Sequence, residues 1–224
     1  MEVMTVKNTV YFSLIIQIIS TVITFDGFVA NTKNSDHVLK EILAIENIVQ
    51  VIEFTLYVYI ASYNTDVSKM GSVRYIDWFL TTPTMLFTTI VFMEYNNVKD
   101  KGEVLNVTKF INRNKMKIYK IVVNNIFMLV CGLLVERNII SMYLGISLGF
   151  YFFYQTFMII HTYTKNNDTN TKLYKFMGTV WGMYGLAAVL SDKNKNISYN
   201  LLDLVAKNFY GLYIYFIILS LPNR

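Results

Sequence analysis

Lysine is costly in an apolar segment, and Lys207 occupies the middle of one. The run Asp203-Leu204-Val205-Ala206-Lys207 lies between apolar stretches, about ten residues from either end of its span. That is too deep for the ammonium to reach either surface easily. Asp203 stands one helical turn before the lysine, on the same face. A second charged group, Arg74-Tyr75-Ile76-Asp77-Trp78, opens another apolar run. A buried cation needs compensating carboxylates, and charge held in apolar surroundings is by default a functional feature. A structural ion pair joining two helices would account for one lysine and one acid, but not for both Asp77 and Asp203. Glu46 and Glu53 form a further acidic pair. Being seven residues apart, they share a helix face at an axial separation of ~10 Å. Two readings stand for them: acids lining a wet, cation-attracting path, or a hydrogen-bonded pair tying helices together. Ser13, Thr81, Asn124, Asn125 and Asn208 are also polar residues in apolar runs. Each taken alone reads as interhelical glue.

The segments that carry these residues can cross a bilayer. The chain has 224 residues, 54% of them hydrophobic, with only 2 prolines and 10 glycines, whereas a soluble domain of this size would show amphipathic segments and more charge. A crossing helix needs ~20 residues to cover the hydrocarbon, and backbone in lipid must satisfy its own hydrogen bonds. Seven spans are predicted, at about 8–30, 38–62, 71–94, 116–135, 139–163, 173–190 and 198–221. The apolar part of the first is too long for a signal peptide and lacks a convincing cleavage site. The expected fold is an all-α membrane protein, a seven-transmembrane helix bundle forming one domain over residues 1–224. There is no internal repeat of the transporter kind.

Orientation follows from the basic residues between spans. One side carries Lys33, Lys40, Lys99, Lys101, Lys109, Arg113, Lys115, Lys117, Lys165, Lys172, Lys175 and Arg224; the other carries Lys7, Lys69, Arg137, Lys193 and Lys195. Twelve against five places the N-terminus outside and the C-terminus in the cytoplasm. The formal charge of +5 therefore reports topology rather than nucleic-acid binding. The single cysteine, Cys131, excludes a disulfide within the chain. With His37 and His161 the only histidines, a zinc site of the usual ligands is not expected. The sequons at Asn106, Asn167 and Asn196 are weak signals, and the first two fall in connections assigned to the cytoplasm.

The stretch Arg74-Tyr75-Ile76-Asp77-Trp78-Phe79-Leu80-Thr81-Thr82-Pro83 closely resembles the third helix of microbial rhodopsins. Asp203 and Lys207 resemble that family's seventh-helix pattern of a counterion four residues before the retinal lysine. Trp181 and Tyr184 resemble its sixth-helix pocket, and the chain's two tryptophans, Trp78 and Trp181, match the pair that sandwiches the polyene. The resemblance implies all-trans retinal bound to Lys207 as a Schiff base. It makes Asp77 and Asp203 the counterions, with Arg74 ordering the outer half-channel. It further implies a pocket of Trp78, Thr82, Met85, Met128, Gly132, Trp181 and Tyr184, with Gly132 leaving room for the ionone ring. The chain also departs from the family's outward proton pumps. Thr88 stands where those carry an internal proton donor, Gly185 replaces the sixth-helix proline, and Ala188 replaces a tryptophan. Glu46, Glu53 and Asn208 resemble channelrhodopsins. The whole set is most similar to the channel-like group of viral rhodopsins from large algal and protist viruses.

What the resemblance implies is a photoreceptor protein rather than an enzyme, multi-pass in a membrane, and in the host cell's membrane if viral. The leading expectation is a light-gated cation channel with Ser13, Glu53 and Asn208 at a constriction, Glu46 nearer the cytoplasm and Thr81 along the path. Acid-lined routes favour cations. The alternatives are an outward proton pump with Asp77 as acceptor and Glu46 as a relocated donor, or a sensor acting through a partner. Members of the family form dimers, trimers or pentamers, and no feature of the sequence selects among these homo-oligomers.

Overall fold

The computed structural model describes residues 5–62 and 66–221; Arg224, used above for topology, lies outside them. Helices α1 (Val6–Val29), α2 (His37–Ser62), α3 (Val67–Lys99), α4 (Val107–Glu136), α5 (Met142–His161) and α6 (Asp168–Ala187) are followed by α7 (Asp192–Leu219). A single 3-10 turn, Asn34–Asp36, leads into α2, and no strand occurs among the described residues. Each helix packs on the next, and α7 returns against α1 to close a seven-helix ring. An odd number of crossings puts the two termini at opposite ends.

Every helix but α6 is long and apolar enough to cross a membrane by length and composition, as suits a multi-pass integral membrane protein. The helices are not equivalent. The most apolar windows of α3 and α7 are 61% buried within the bundle, against 28% for α1 and 22% for α4 and α5. The central helices are therefore those that carry Asp77 and Lys207, while the peripheral ones turn apolar side chains such as Val22, Phe127 and Tyr151 outward. In lipid that outward surface costs nothing, so the pattern is the one a bilayer selects.

Several helices extend beyond the apolar runs. α4 starts at Val107, not near residue 116, because Asn106 caps it by accepting from the Lys109 N–H at 2.8 Å. Lys109, Arg113, Lys115 and Lys117 accordingly ride on helix rather than on a connection. Apolarity marks where a helix meets hydrocarbon; capping marks where it begins. Asn167 caps α6 in the same manner through the Asn170 N–H, at 2.8 Å. Two of the three sequon asparagines thus serve as helix caps, and the third, Asn196, is buried and donates to the Val67 carbonyl at 3.1 Å. Ion pairs tie the ends of the bundle together. Glu94 of α3 holds Arg113 of α4 at 2.7 Å and Lys165 of the α5–α6 connection at 2.6 Å. At the other end Lys195 of α7 reaches Glu136 of α4 at 2.8 Å.

Inside α7 the hydrogen-bonding pattern changes. Leu204–Asn208 forms a π-helical turn, one residue wider than an α-turn. Such bulges cluster at functional sites, and this one contains Lys207.

Candidate functional site

Four buried charges meet where α3 faces α7. The Lys207 ammonium donates to Asp77 Oδ2 at contact distance and lies 3.7 Å from Asp203 Oδ1. Asp203 is held from every side. Its Oδ2 accepts from the Tyr57 hydroxyl at 2.8 Å and from Arg74 Nη1 at 3.2 Å. Its Oδ1 accepts from the Tyr184 hydroxyl at 2.7 Å and from Trp78 Nε1 at 3.3 Å. Arg74 is fully buried; it also donates to the side-chain oxygens of Asn196 and Asn200, and its guanidinium lies 5.3 Å from the Tyr57 ring centroid. Two cations and two carboxylates make a neutral cluster, the condition under which buried charge is tolerable.

The two aspartates nonetheless differ. Among the described residues Asp77 Oδ1 has no hydrogen-bond partner, and Thr81 donates to the Asp77 main-chain oxygen at 3.0 Å. Asp77 thus keeps room for a proton, whereas both oxygens of Asp203 are engaged.

An apolar cavity runs away from the lysine, between α3, α4, α5, α6 and α7. Trp78, Thr82, Met85, Met128, Gly132, Trp181, Tyr184 and Lys207 all line it, together with Tyr75, Gly145, Gly149, Phe150, Phe153 and Gly185. Trp78 packs edge-on against Tyr184, with ring centroids 5.5 Å apart. Gly132 is required by close approach: a Cβ there would collide with the Tyr75 hydroxyl. Sequence reasoning did not single out the α5 wall, Gly145 to Phe153, because it carries no polar or charged marker.

A second polar region, separate from the cavity, fills the contact between α1, α2 and α7. On α1 the buried polar positions are Thr9, Ser13, Gln17, Ser20 and Thr24, spaced three or four apart as one helix face. Gln17 donates to Glu53 Oε1 at 3.1 Å, and Asn208 donates to Glu53 Oε2 at 3.2 Å. Ser20 donates to Asn208 at 2.6 Å and to Gln50 at 3.2 Å, and Thr24 donates to Asn47 at 2.8 Å. Glu53 and Asn208 are therefore joined directly. Ser13 lies further along, donating to the Asn200 main-chain oxygen at 3.2 Å. Glu46 faces α3, where it accepts from the Thr88 hydroxyl. Gln17, Ser20, Asn47 and Gln50 escaped the sequence reading, although the three-and-four spacing on α1 was available to find them.

The bundle and the buried lysine–aspartate centre define a multi-pass helical membrane protein with a charged core. The chain belongs to the bacteriorhodopsin-like family, whose model matches residues 8–221. Among solved structures, the viral rhodopsin OLPVRII is similar at 24% identity, covering 97% of this chain and 99% of that one, with a TM-score of 0.85. The rhodopsin of Exiguobacterium sibiricum is similar at 15% identity, covering 95% and 94%, with a TM-score of 0.74. The light-driven proton pump rhodopsin of Coccomyxa subellipsoidea is similar at 16% identity, covering 96% of each chain, with a TM-score of 0.68. These likenesses establish the fold. No curated protein is significantly similar in sequence. Proteins of the family bind retinal, and the residues here suit it. A primary amine stands at the end of an aromatic-walled cavity, flanked by carboxylates that can balance its charge.

Proposed function

We propose that the chain is a light-gated cation channel whose photoswitch is all-trans retinal, joined to Lys207 as a Schiff base. When bound, retinal supplies a light-driven change of shape, all-trans to 13-cis, at the lysine. Lys207 Nζ holds the positive charge and Asp77 is the carboxylate with a free oxygen to take its proton. Asp203, fastened by Tyr57, Arg74, Tyr184 and Trp78, stays a fixed counter-charge. Trp78, Thr82, Met85, Met128, Gly132, Trp181 and Tyr184 would bind and orient the polyene and keep water from it.

The observation that supports conduction is the seam between α1, α2 and α7. Helices in lipid can also associate through close apolar packing alone. The seam instead carries a run of hydroxyls and amides around Glu53, and Gln17 Oε1 and Gln50 Nε2 lack partners among the described residues. An unpaired buried polar atom costs roughly 1–3 kcal/mol, so its presence calls for a use. Ser13, Glu53 and Asn208 would form the narrowest part, with Thr81 and Glu46 on the approaches. Coupling has a short route, because Lys207 and Asn208 are neighbours in the π-helical turn. Movement of the one must move the donor that the other presents to Glu53. The side bearing the α2 N-terminus would face the cytoplasm, as the basic residues suggest.

One contact favours a second reading, an outward proton pump. Glu46 of α2 bonds Thr88, the position where pumps of the family keep a donor, so an acid reaches the donor's place from another helix. The test of the channel reading is Glu53→Gln. A channel predicts altered photocurrent size or selectivity with the visible band largely in place. Unchanged currents would remove Glu53 from the path.

A further inference from the structure

The buried polar face of α1 ends abruptly. After Thr24, bonded to Asn47, the next position on the face is Gly27, and there the neighbours become apolar. A Cβ at Gly27 would collide with Leu43 Cδ2 of α2 and come within 3.0 Å of the Tyr215 ring of α7. Glycine is what lets these two side chains close directly over the α1 backbone. Leu43 is fully buried and Tyr215 8% exposed, so they form a layer with little free space. Tyr215 is also tied across the layer, its hydroxyl donating to Asp26 Oδ2 of α1 at 3.0 Å. Asp26 is exposed and belongs to the end of the bundle that carries the α2 N-terminus.

We propose that Leu43 and Tyr215, closing over Gly27, are the barrier that seals the polar seam from the face bearing the α2 N-terminus, with the Tyr215–Asp26 hydrogen bond as its latch. This rests on reading the seam as a conduction path. An apolar constriction stops ions by excluding water, and it opens by a small separation of its walls. The seam reaches its barrier one helical turn beyond Thr24. Tyr215 lies on α7 two turns beyond Lys207, so displacement of α7 would lift the ring from Gly27.

The experiment is dark labelling of a reporter cysteine, Thr24→Cys, in a Cys131→Ser background. A positively charged, membrane-impermeant methanethiosulfonate is applied to retinal-loaded protein in vesicles of known orientation, one face at a time, with adduct mass as readout. The barrier predicts slow labelling from the α2-N-terminal face, at least tenfold faster with Leu43→Ala or Tyr215→Ala, and severalfold faster with Tyr215→Phe, which keeps the ring and loses the latch. The retained visible band shows that each variant is folded. Equal labelling rates in the parent and in both alanine variants, or acceleration only from the opposite face, would overturn the barrier. Labelling requires no current. Accelerated labelling in a protein that passes no photocurrent would keep the barrier and sink the channel reading. Photocurrent with unchanged labelling would do the reverse.

Discussion

Around Lys207, charge is answered at contact distance; along the α1–α2–α7 seam, the partners are neutral and some polar atoms have none among the described residues. Asp203 accepts four hydrogen bonds from three helices, and Arg74 is anchored by two asparagines of α7. Glu53, by contrast, is met by two amides, Gln17 and Asn208. The first arrangement stores electrostatic energy in a fixed geometry, so displacing one charge is felt by all. The second can exchange partners at a cost of about 1 kcal/mol for each hydrogen bond. A switch needs both: a stiff centre that registers the light event and a pliant region that responds.

The sharpest way to break the contrast is at the lysine. Lys207→Ala should abolish the visible pigment altogether after incubation with retinal, read as loss of the visible absorption band. A coloured variant would count against the whole assignment of the centre. Next in size, Asp203→Asn should cost about 3–5 kcal/mol, because it leaves buried Arg74 without its carboxylate. Asp77→Asn should cost less, since Asp203 still lies 3.7 Å from Lys207. Thermal unfolding of both variants in detergent checks the order, and equal losses would deny that Asp203 is the fixed member. In the seam, Gln17→Met should cost about 1–3 kcal/mol, because it leaves Glu53 Oε1 without a donor. It should leave the band in place and change the photocurrent. A loss as large as that of Asp203→Asn would show the seam to be as stiff as the centre.

The smallest effect lies outside both regions. Asp66 caps α3 by accepting from the Ser68 N–H at 3.1 Å, and that bond holds its carboxyl below the usual aspartate range. Its contribution is therefore present above the ordinary aspartate pKa and lost as pH falls through the lowered value. Asp66→Asn should remove that small acid-dependent part of the thermal midpoint and leave the pigment unchanged.

The centre was legible because charge inside an apolar run is rare enough to inform. Arg74, Asp77, Asp203 and Lys207 stand out in the sequence, and the structure brings them together. The seam was half legible. Glu46, Glu53 and Asn208 were visible, but Gln17, Ser20, Asn47 and Gln50 were not, since uncharged polar residues occur in many spans as interhelical glue. Seven helices could be counted from apolar runs, yet α4 begins earlier than its apolar run because Asn106 caps it and the lysines that follow are helical without being apolar. The π-helical turn at Leu204–Asn208 left no trace in the sequence pattern. A single widened turn shifts the face by one residue, which a short apolar run cannot register.

The most direct test of the account is voltage-clamp recording of light-evoked current in retinal-supplied cells, with cations varied on both sides. A channel through the seam predicts current that reverses where the cation gradient reverses. Current that stays outward against the gradient would contradict it and make Glu46, at Thr88, the first donor to examine.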